Sequence, residues 1–308
     1  MANEGKKENK LQDNKLKEDK VIPKKDEIVA KSKKVDIVIN EKKVDIVKKE
    51  KKIETIKKVL ITEFGKRFFV RNVEQDFHTN FGVVSKKDLK SDASIIKTGN
   101  GTKLFAHKPA FIDLYSRIKR APQIIPRKDI GIIIAETGIG RNSIVVEAGT
   151  GSGALCFMLA NIVKKVFTYE IREDFFNIAS ENLKFLGLKN VVMNNKSIYD
   201  RIDEKKKDDK GKNDFPKDVD LVALDLPEPW LAVENANALL KSGGFLVSYS
   251  PTTPQVSDFV EKVKKIESLR YIKTVEVIMR DWEIDERKVR PMSASIGHSG
   301  FISFVRKV

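Results

Sequence analysis

From about residue 120 onward, short and nearly continuous apolar runs alternate with segments of helical spacing. The runs are SIVVEA, KVFTYE, NVVMNN, DLVALDL and GGFLVSYS. Between them stand GALCFMLANIV, DFFNIASENLKFLG (which Gly187 stops) and WLAVENANALL. A strand that is apolar on both sides has no face to turn to water. It belongs in a parallel sheet with helices on both faces. The alternation predicts an α/β fold, and in such sheets ligands bind beyond the carboxyl ends of the strands.

The turn after the first of these strands carries the strongest chemical signal. In IVVEAGTGSGALC an apolar run ends in Glu147, and Gly149, Gly151 and Gly153 follow at alternating positions. No Lys follows Gly153, so the loop is not the triphosphate-binding G-x-x-x-x-G-K-[ST]. The dinucleotide pattern G-x-G-x-x-G fails as well, because position 154 is Ala. A carboxylate at position 147 would repel a pyrophosphate, whereas it suits a ligand bearing an ammonium and a sulfonium. Glycines let the backbone approach such a ligand closely. Glu170 ends the second strand, 17 residues after Gly153, where an acid can accept both hydroxyls of a ribose. NAD enzymes share that last feature. Loop and acid together favour S-adenosylmethionine.

A second stretch, ALDLPEPW, lies at the end of the fourth strand. Asp225 emerges there, on the side to which a sulfonium methyl points, and the prolines keep the loop extended. Methyl transfer is an in-line displacement, so the protein's main task is to place a lone pair behind the methyl carbon. A carboxylate can do this for a nucleobase by accepting a hydrogen bond from its exocyclic amine. A strand-end cap is the plainer reading of the same residue.

Charge points to the same class of acceptor. The chain carries 59 Lys and Arg against 44 Asp and Glu, a net +15. The first sixty residues hold 19 Lys and 12 acids, so the remainder still has +8. An excess that survives removal of the tail suits a polyanionic partner such as nucleic acid. Residues 1–57 read as a flexible Lys-rich arm, in which KKVDIV at 33–38 recurs at 42–47 and KKIETI at 51–56 keeps the step. Residues 58–108 alternate apolar and polar positions around Gly65 and Gly82, the pattern of a small antiparallel β domain. PAFIDLYSRIKR, 109–120, has helical spacing and opens the domain that runs to residue 308. A charged loop over 203–217 reads as a solvated insertion.

Cys156, the single cysteine, lies in a hydrophobic segment and reads as packing. The three histidines, His78, His107 and His298, are far apart and no metal site is expected. With no apolar leader and no apolar run of membrane-spanning length, the chain reads as a cytoplasmic protein without a membrane partner.

Over residues 58–308 the sequence resembles the tRNA (adenine-N1)-methyltransferases of the archaeal and bacterial single-subunit type. The resemblance rests on FHTNFGVV, RAPQIIPRKDIGIII, EAGTGSGAL, YEIREDF, DLPEPW and GHSGFISFVRK, six motifs in the family's order. It implies a small β domain followed by a class I, Rossmann-like methyltransferase domain with a mainly parallel seven-stranded sheet. It also implies a homotetramer and the T-loop of tRNA, at adenine 58 or 57, as the substrate. By motif, Glu147, Gly149, Thr150, Gly151, Ser152, Gly153, Ala154 and Leu155 would line the methionine end of S-adenosylmethionine. Glu170 would hold the ribose, Phe175 would lie near the adenosine, and Ser197 and Ile198 beside the adenine. Asp225 would be catalytic and would also border the cofactor. Ser197 stands where the family often has an acid, and Ile125 where it often has an aromatic or His. An isoaspartyl-type protein carboxyl methyltransferase, a non-catalytic tRNA-binding subunit and an NAD oxidoreductase are the rival readings. The intact glycines and Asp225 argue against the second of these.

Overall fold

A computed structural model describes residues 53–120, 122, 124–200, 215–294 and 297–308. Most of the Lys-rich arm and residues 203–214 of the charged insertion lie outside them. The first elements are β1 (Lys58–Thr62), β2 (Arg67–Val70), β3 (Phe77–Thr79), β4 (Gly82–Val84), α1 (Lys86–Lys90), β5 (Ile95–Lys97) and β6 (Lys103–His107). Four strands form an antiparallel sheet ordered β2-β1-β6-β5, and β3 and β4 form a separate hairpin. Side chains alternate across a strand, and β1 uses this to serve two cores. Leu60 packs with Val70, Val84, Leu89, Ile96 and Leu104 in a small core. Val59, one residue earlier, packs into the main core with Ile61 and Phe69 against it.

After β6 comes α2 (Phe111–Tyr115), less than half the length suggested by PAFIDLYSRIKR. Its end has a local and a distant cause. The Ser116 hydroxyl donates to the carbonyl of Asp113 at 2.8 Å, a side-chain bond that competes with helix continuation. Three residues on, the Lys119 amide donates to Asn182 Oδ1 at 2.8 Å. The chain is drawn off as a strap.

The remaining elements are α3 (Arg127–Thr137), β7 (Ile144–Ala148), α4 (Ala154–Ala160), β8 (Lys165–Tyr169), α5 (Glu173–Leu186), β9 (Val191–Asn194), β10 (Val219–Leu224), α6 (Val233–Leu239), β11 (Leu240–Ser250), α7 (Thr253–Lys264), β12 (Leu269–Glu276), β13 (Trp282–Asp285), β14 (Lys288–Pro291) and β15 (Phe301–Lys307). The central sheet has seven strands in the order β12-β15-β11-β10-β7-β8-β9. Strands β7 to β11 run parallel, while β15 is antiparallel to both β11 and β12. Buried aliphatics of β7, β10 and β11 pack on both faces of the sheet in two clusters. The expected strands and helices of this region are all present, although WLAVENANALL begins as a 3-10 turn at Pro229–Ala232. The charged insertion ends in structure: Phe215 stacks on Tyr169 at 5.3 Å and 17°.

Candidate active site

Strand order reverses at β7. The chain goes from β7 to β8 and β9 on one side and returns on the other side with β10. A crevice opens at such a switch point, beyond the strand ends. The register aligns the residues that leave the sheet there. Ala148 pairs with Leu224 on one side and Tyr169 on the other, and Tyr169 pairs with Asn194. The next residue on each strand is therefore Asp225, Gly149, Glu170 and Asn195, side by side along one edge. The Asp225 amide continues the ladder by donating to the Ala148 carbonyl at 2.9 Å.

Two of the loop glycines are fixed by contact as well as by backbone. Gly149 has φ +89°, and a Cβ there would lie 1.9 Å from the carbonyl oxygen of Asp225. Gly153 also has φ +89°, and its Cβ would lie 2.0 Å from the Phe157 ring. The first keeps the loop against β10, and the second seats the start of α4 on its own aromatic. The Gly151 amide donates to Glu170 Oε2 at 2.8 Å, and the Arg172 amide to Glu170 Oε1 at 2.9 Å. Glu170 is thus held by backbone donors on both oxygens, with lone pairs to spare for a ligand.

Three carboxyls share this edge. Glu147 is fully buried, accepts a hydrogen bond from the Thr168 hydroxyl through Oε2, and leaves Oε1 buried with no hydrogen-bond partner. Thr168 in turn shares a hydrogen bond with Thr150. Loss of water raises the Glu147 carboxyl from 4.5 to about 8, assisted by the charges of Asp225 and Glu170 and opposed by the Thr168 hydroxyl. Asp225 is raised from 3.8 to about 7, again by desolvation first and then by Glu170.

The carboxyls border a cavity of about 670 Å³, within the range of small-molecule sites. Of the sequence-nominated residues, Glu147, Gly149, Thr150, Gly151, Ser152, Ala154, Leu155, Glu170, Phe175, Ser197, Ile198 and Asp225 all line it. Gly153 does not; it is the N-cap of α4, behind the wall. Ser197 Oγ accepts from the Tyr199 amide at 3.1 Å, so it shapes the turn after β9. Ile125 is buried and lines the cavity with Ile124 and Pro122 of the strap. Among the described residues no group of three His, Cys, Asp or Glu is arranged to hold a metal ion, and no helix is long and apolar enough to cross a membrane.

The model of one family, described as the tRNA methyltransferase complex GCD14 subunit, matches residues 113–300. The chain belongs to this family. A relative from Methanocaldococcus jannaschii, the tRNA (adenine(57)-N(1)/adenine(58)-N(1))-methyltransferase TrmI, is 38% identical, covering 80% of this chain and 94% of its own length. Among solved structures, the tRNA (m1A58) methyltransferase TrmI of Aquifex aeolicus superposes with a TM-score of 0.65 at 25% identity, covering 83% of this chain and 98% of that one. A SAM-dependent O-methyltransferase of Thermotoga maritima gives 0.68 at 29% identity, with 83% and 94% covered. The fold is therefore the Rossmann-like methyltransferase fold, as the alternation of strands and helices implies.

Residues with no local signal in the sequence also shape the candidate site. Asn182, on the buried face of α5, donates to the carbonyls of Lys119 and Ser152 at 2.8 and 2.9 Å while accepting the Lys119 amide. It pins the strap to the glycine loop. The Tyr115 hydroxyl donates to the Ala154 carbonyl at 2.9 Å, and burial pushes that phenol up to about 12. Arg172 lies 3.3 Å from the centre of the Phe175 ring at the mouth. An acid or amide spaced 63 residues from its partner leaves no local pattern, which is why the Asn182 clasp is silent in the sequence.

Proposed function

We propose that this chain is an S-adenosylmethionine-dependent tRNA methyltransferase that methylates N1 of a T-loop adenine, at position 58 or 57. The observation that carries the reading is Asp225, a desolvated carboxyl at the switch point, facing the cavity beside the glycine loop. The name of the M. jannaschii relative supplies the acceptor.

The residues fit the cofactor. Glu147 offers a buried, unpartnered oxygen to an ammonium, and Glu170 is preset by the Gly151 and Arg172 amides to accept ribose hydroxyls. Phe175, Ser197 and Ile198, which line the cavity, would enclose the adenosine end, and Thr150, Ser152, Ala154 and Leu155 would enclose the methionine end. When bound, S-adenosylmethionine supplies an electrophilic methyl group. Adenine N1 already carries a lone pair, so attack needs no strong base. Asp225, ionised, accepts a hydrogen bond from the adenine amino group and holds the base by its Watson–Crick edge. The ring becomes cationic as the methyl's bond to N1 forms and its bond to sulfur breaks, leaving a neutral thioether, and the same carboxylate stabilises the ring's charge. Gly149 keeps the Asp225 backbone against the loop, so the distance between donor and acceptor sites is set by the sheet.

The assembly we propose is a homotetramer. The hairpin β13–β14 supports it: Trp282 pairs with Pro291 and Ile284 with Val289, giving one apolar face. Glu283, Lys288 and Arg290 are ion-paired on the other. Trp282, Ile284 and Val289 are each more than half exposed, and such a patch marks a contact surface. We assign residues 58–108 to a small domain beside the catalytic one, and the whole to the cytoplasm, where tRNA is found.

The test is methyl transfer from labelled S-adenosylmethionine to an unmodified tRNA transcript, followed by nucleoside analysis. Wild type gives 1-methyladenosine, and Asp225→Ala loses about 100- to 1,000-fold in kcat. Label in another nucleoside, or none in tRNA, overturns the choice of acceptor.

A further inference from the structure

The bend that carries β11 into α7 forms one wall of the cavity, at Pro251 and Gln255. Gln255 Nε2 donates to the Pro227 carbonyl at 2.8 Å, two residues after Asp225. The Thr252 hydroxyl, donating to Gln255 Oε1 at 2.7 Å, orients that amide. The bend and the Asp225 loop are thereby tied together from the front. From behind, the carbonyl of Pro251 is met by His298 Nε2 at 2.9 Å, and His298 Nδ1 lies 2.5 Å from Glu276 Oε1. A carbonyl and a carboxylate only accept. Each contact needs a proton on its own ring nitrogen, and both protons are present together only in the imidazolium.

The ring is not free to drift. It lies 4.9 Å from the Phe301 ring. Its neighbour Ser299 donates to Asp129 Oδ2 at 2.8 Å and accepts from Lys128 Nζ at 2.5 Å. Asp129 is fully buried. It also accepts from the Tyr249 hydroxyl at 3.3 Å and pairs with Lys128 at 2.7 Å. A Cβ on Gly300 would stand 2.4 Å from the Tyr249 ring. The GHSG turn is thus seated on a buried polar network, and His298 reaches out from it to the wall of the site.

We infer that His298, as an imidazolium, is a positioning residue that clamps the Pro251 bend and so keeps the acceptor wall aligned with Asp225. The inference rests on the methyl-transfer reading above. Loss of the proton leaves one N–H, which stays with the Glu276 carboxylate, and the Pro251 carbonyl is released. The groups facing the ring are Glu276 from β12, the Pro251 carbonyl from the bend and, through Ser299, Lys128 from α3; Phe301 of β15 is uncharged. Hydrogen bonds to Glu276 and then Pro251 raise the His298 pKa above its ordinary value, opposed by desolvation and then by Lys128. The clamp is closed while the ring is protonated and opens as pH rises through the raised His298 pKa.

The chain has three histidines, so the His298 ring signal is assigned in NMR spectra by its loss in His298→Asn. In the full-length protein with S-adenosylhomocysteine, the ring is expected to titrate above 6.5, the ordinary value for His. The Gln255 side-chain amide should shift in step with it, and Glu276→Gln should lower both midpoints. In methyl transfer to a tRNA transcript, wild type should show an alkaline limb at the same midpoint. Glu276→Gln should move that limb to lower pH. His298→Asn should abolish it and raise the KM for tRNA about five-fold, the effect of one lost hydrogen bond, with S-adenosylhomocysteine affinity unchanged. A His298 midpoint at or below 6.5, or a Gln255 amide indifferent to it, overturns the clamp. So does an alkaline limb that Glu276→Gln leaves in place. If wild type methylates no tRNA, the functional reading fails, and the two NMR midpoints alone decide the clamp.

Discussion

Replacing Glu147 by Gln should stabilise the ligand-free protein, and the effect should grow with pH. In the native state the carboxyl is raised from 4.5 to about 8, chiefly by desolvation. Between pH 5.5 and 7.5 the unfolded chain has therefore lost a proton that the native chain keeps. Stability falls as pH rises wherever the native state binds more protons. The slope is about 1.4 kcal/mol per pH unit for one group, so the window removes on the order of 3 kcal/mol. Glutamine keeps the shape and an oxygen for the Thr168 hydroxyl but has no charge to desolvate. The Tm difference between the two proteins should thus widen by roughly 6–12 °C from pH 5.5 to pH 7.5, at 2–4 °C per kcal/mol for a domain of this size. Asp225, raised to about 7, adds a slope of the same sign in both proteins. Calorimetry at the two pH values without ligand measures the difference, with chemical denaturation as a check. Parallel loss of stability in the two proteins refutes the reasoning. The stabilised variant should bind S-adenosylhomocysteine about 10- to 100-fold more weakly, the range for one charged hydrogen bond.

Three further outcomes follow from the same edge of the sheet. Because only ionised Asp225 has the negative charge that stabilises the developing cationic ring, kcat/KM should rise with pH through about 7 and fall below it; an Asp225→Asn variant that retains this acid limb assigns it elsewhere. Gly149→Ala should cost about 3 kcal/mol, since a Cβ 1.9 Å from the Asp225 carbonyl forces the loop off β10. Denaturant titration reads that cost, and a change below about 0.5 kcal/mol would contradict the contact. Asn182→Leu, nearly isosteric, strands the Lys119 amide and two carbonyls; it should destabilise by about 2–5 kcal/mol and weaken S-adenosylhomocysteine binding in calorimetry. Unchanged affinity in the folded variant would detach the strap from the site.

The parts of this site that the sequence discloses are those that follow a strand end. Glu147, Gly149, Glu170 and Asp225 each come directly after or within an apolar run, and in a parallel sheet strand ends share an edge. A reader who has found the strands has found the neighbours. What stays hidden depends on partners far along the chain. Lys128 and Asp129 look like two surface charges on an amphipathic helix, yet they are buried and bonded to Ser299, some 170 residues away. Asn182 sits among the polar residues of α5 with nothing to mark it as a clasp. The shortening of α2 has in part the same origin, since helical spacing persists in Ser116–Arg120 and the capture of Lys119 adds to the local Ser116 bond in ending it. The antiparallel β12 and β15 and the β13–β14 hairpin lack the strand–helix alternation that announces the rest. Phe215, in a segment whose charge suggests only solvent, is drawn onto Tyr169.

The signs of the charges at the edge bear on the choice of ligand more directly than the glycine pattern does. Glu147, Glu170 and Asp225 lie together, and among the described residues none of them is ion-paired to a lysine or arginine. The hydrogen bonds to Glu147 and Glu170 come from a hydroxyl and backbone amides. Two of the three are held near or above neutrality by burial and by one another. A ligand with a pyrophosphate adds negative charge to this cluster and is disfavoured. A ligand with an ammonium and a sulfonium reverses the balance, because each cation restores the ionised form of the carboxyl it meets. Binding should then expel protons. Calorimetric titration at pH 7 in buffers of different ionisation enthalpy should give close to one proton released per S-adenosylhomocysteine in wild type and none from this group in Glu147→Gln. Binding with no proton release in wild type would mean that Glu147 is already ionised in the free protein, and the electrostatic case for a cationic ligand would lose its footing.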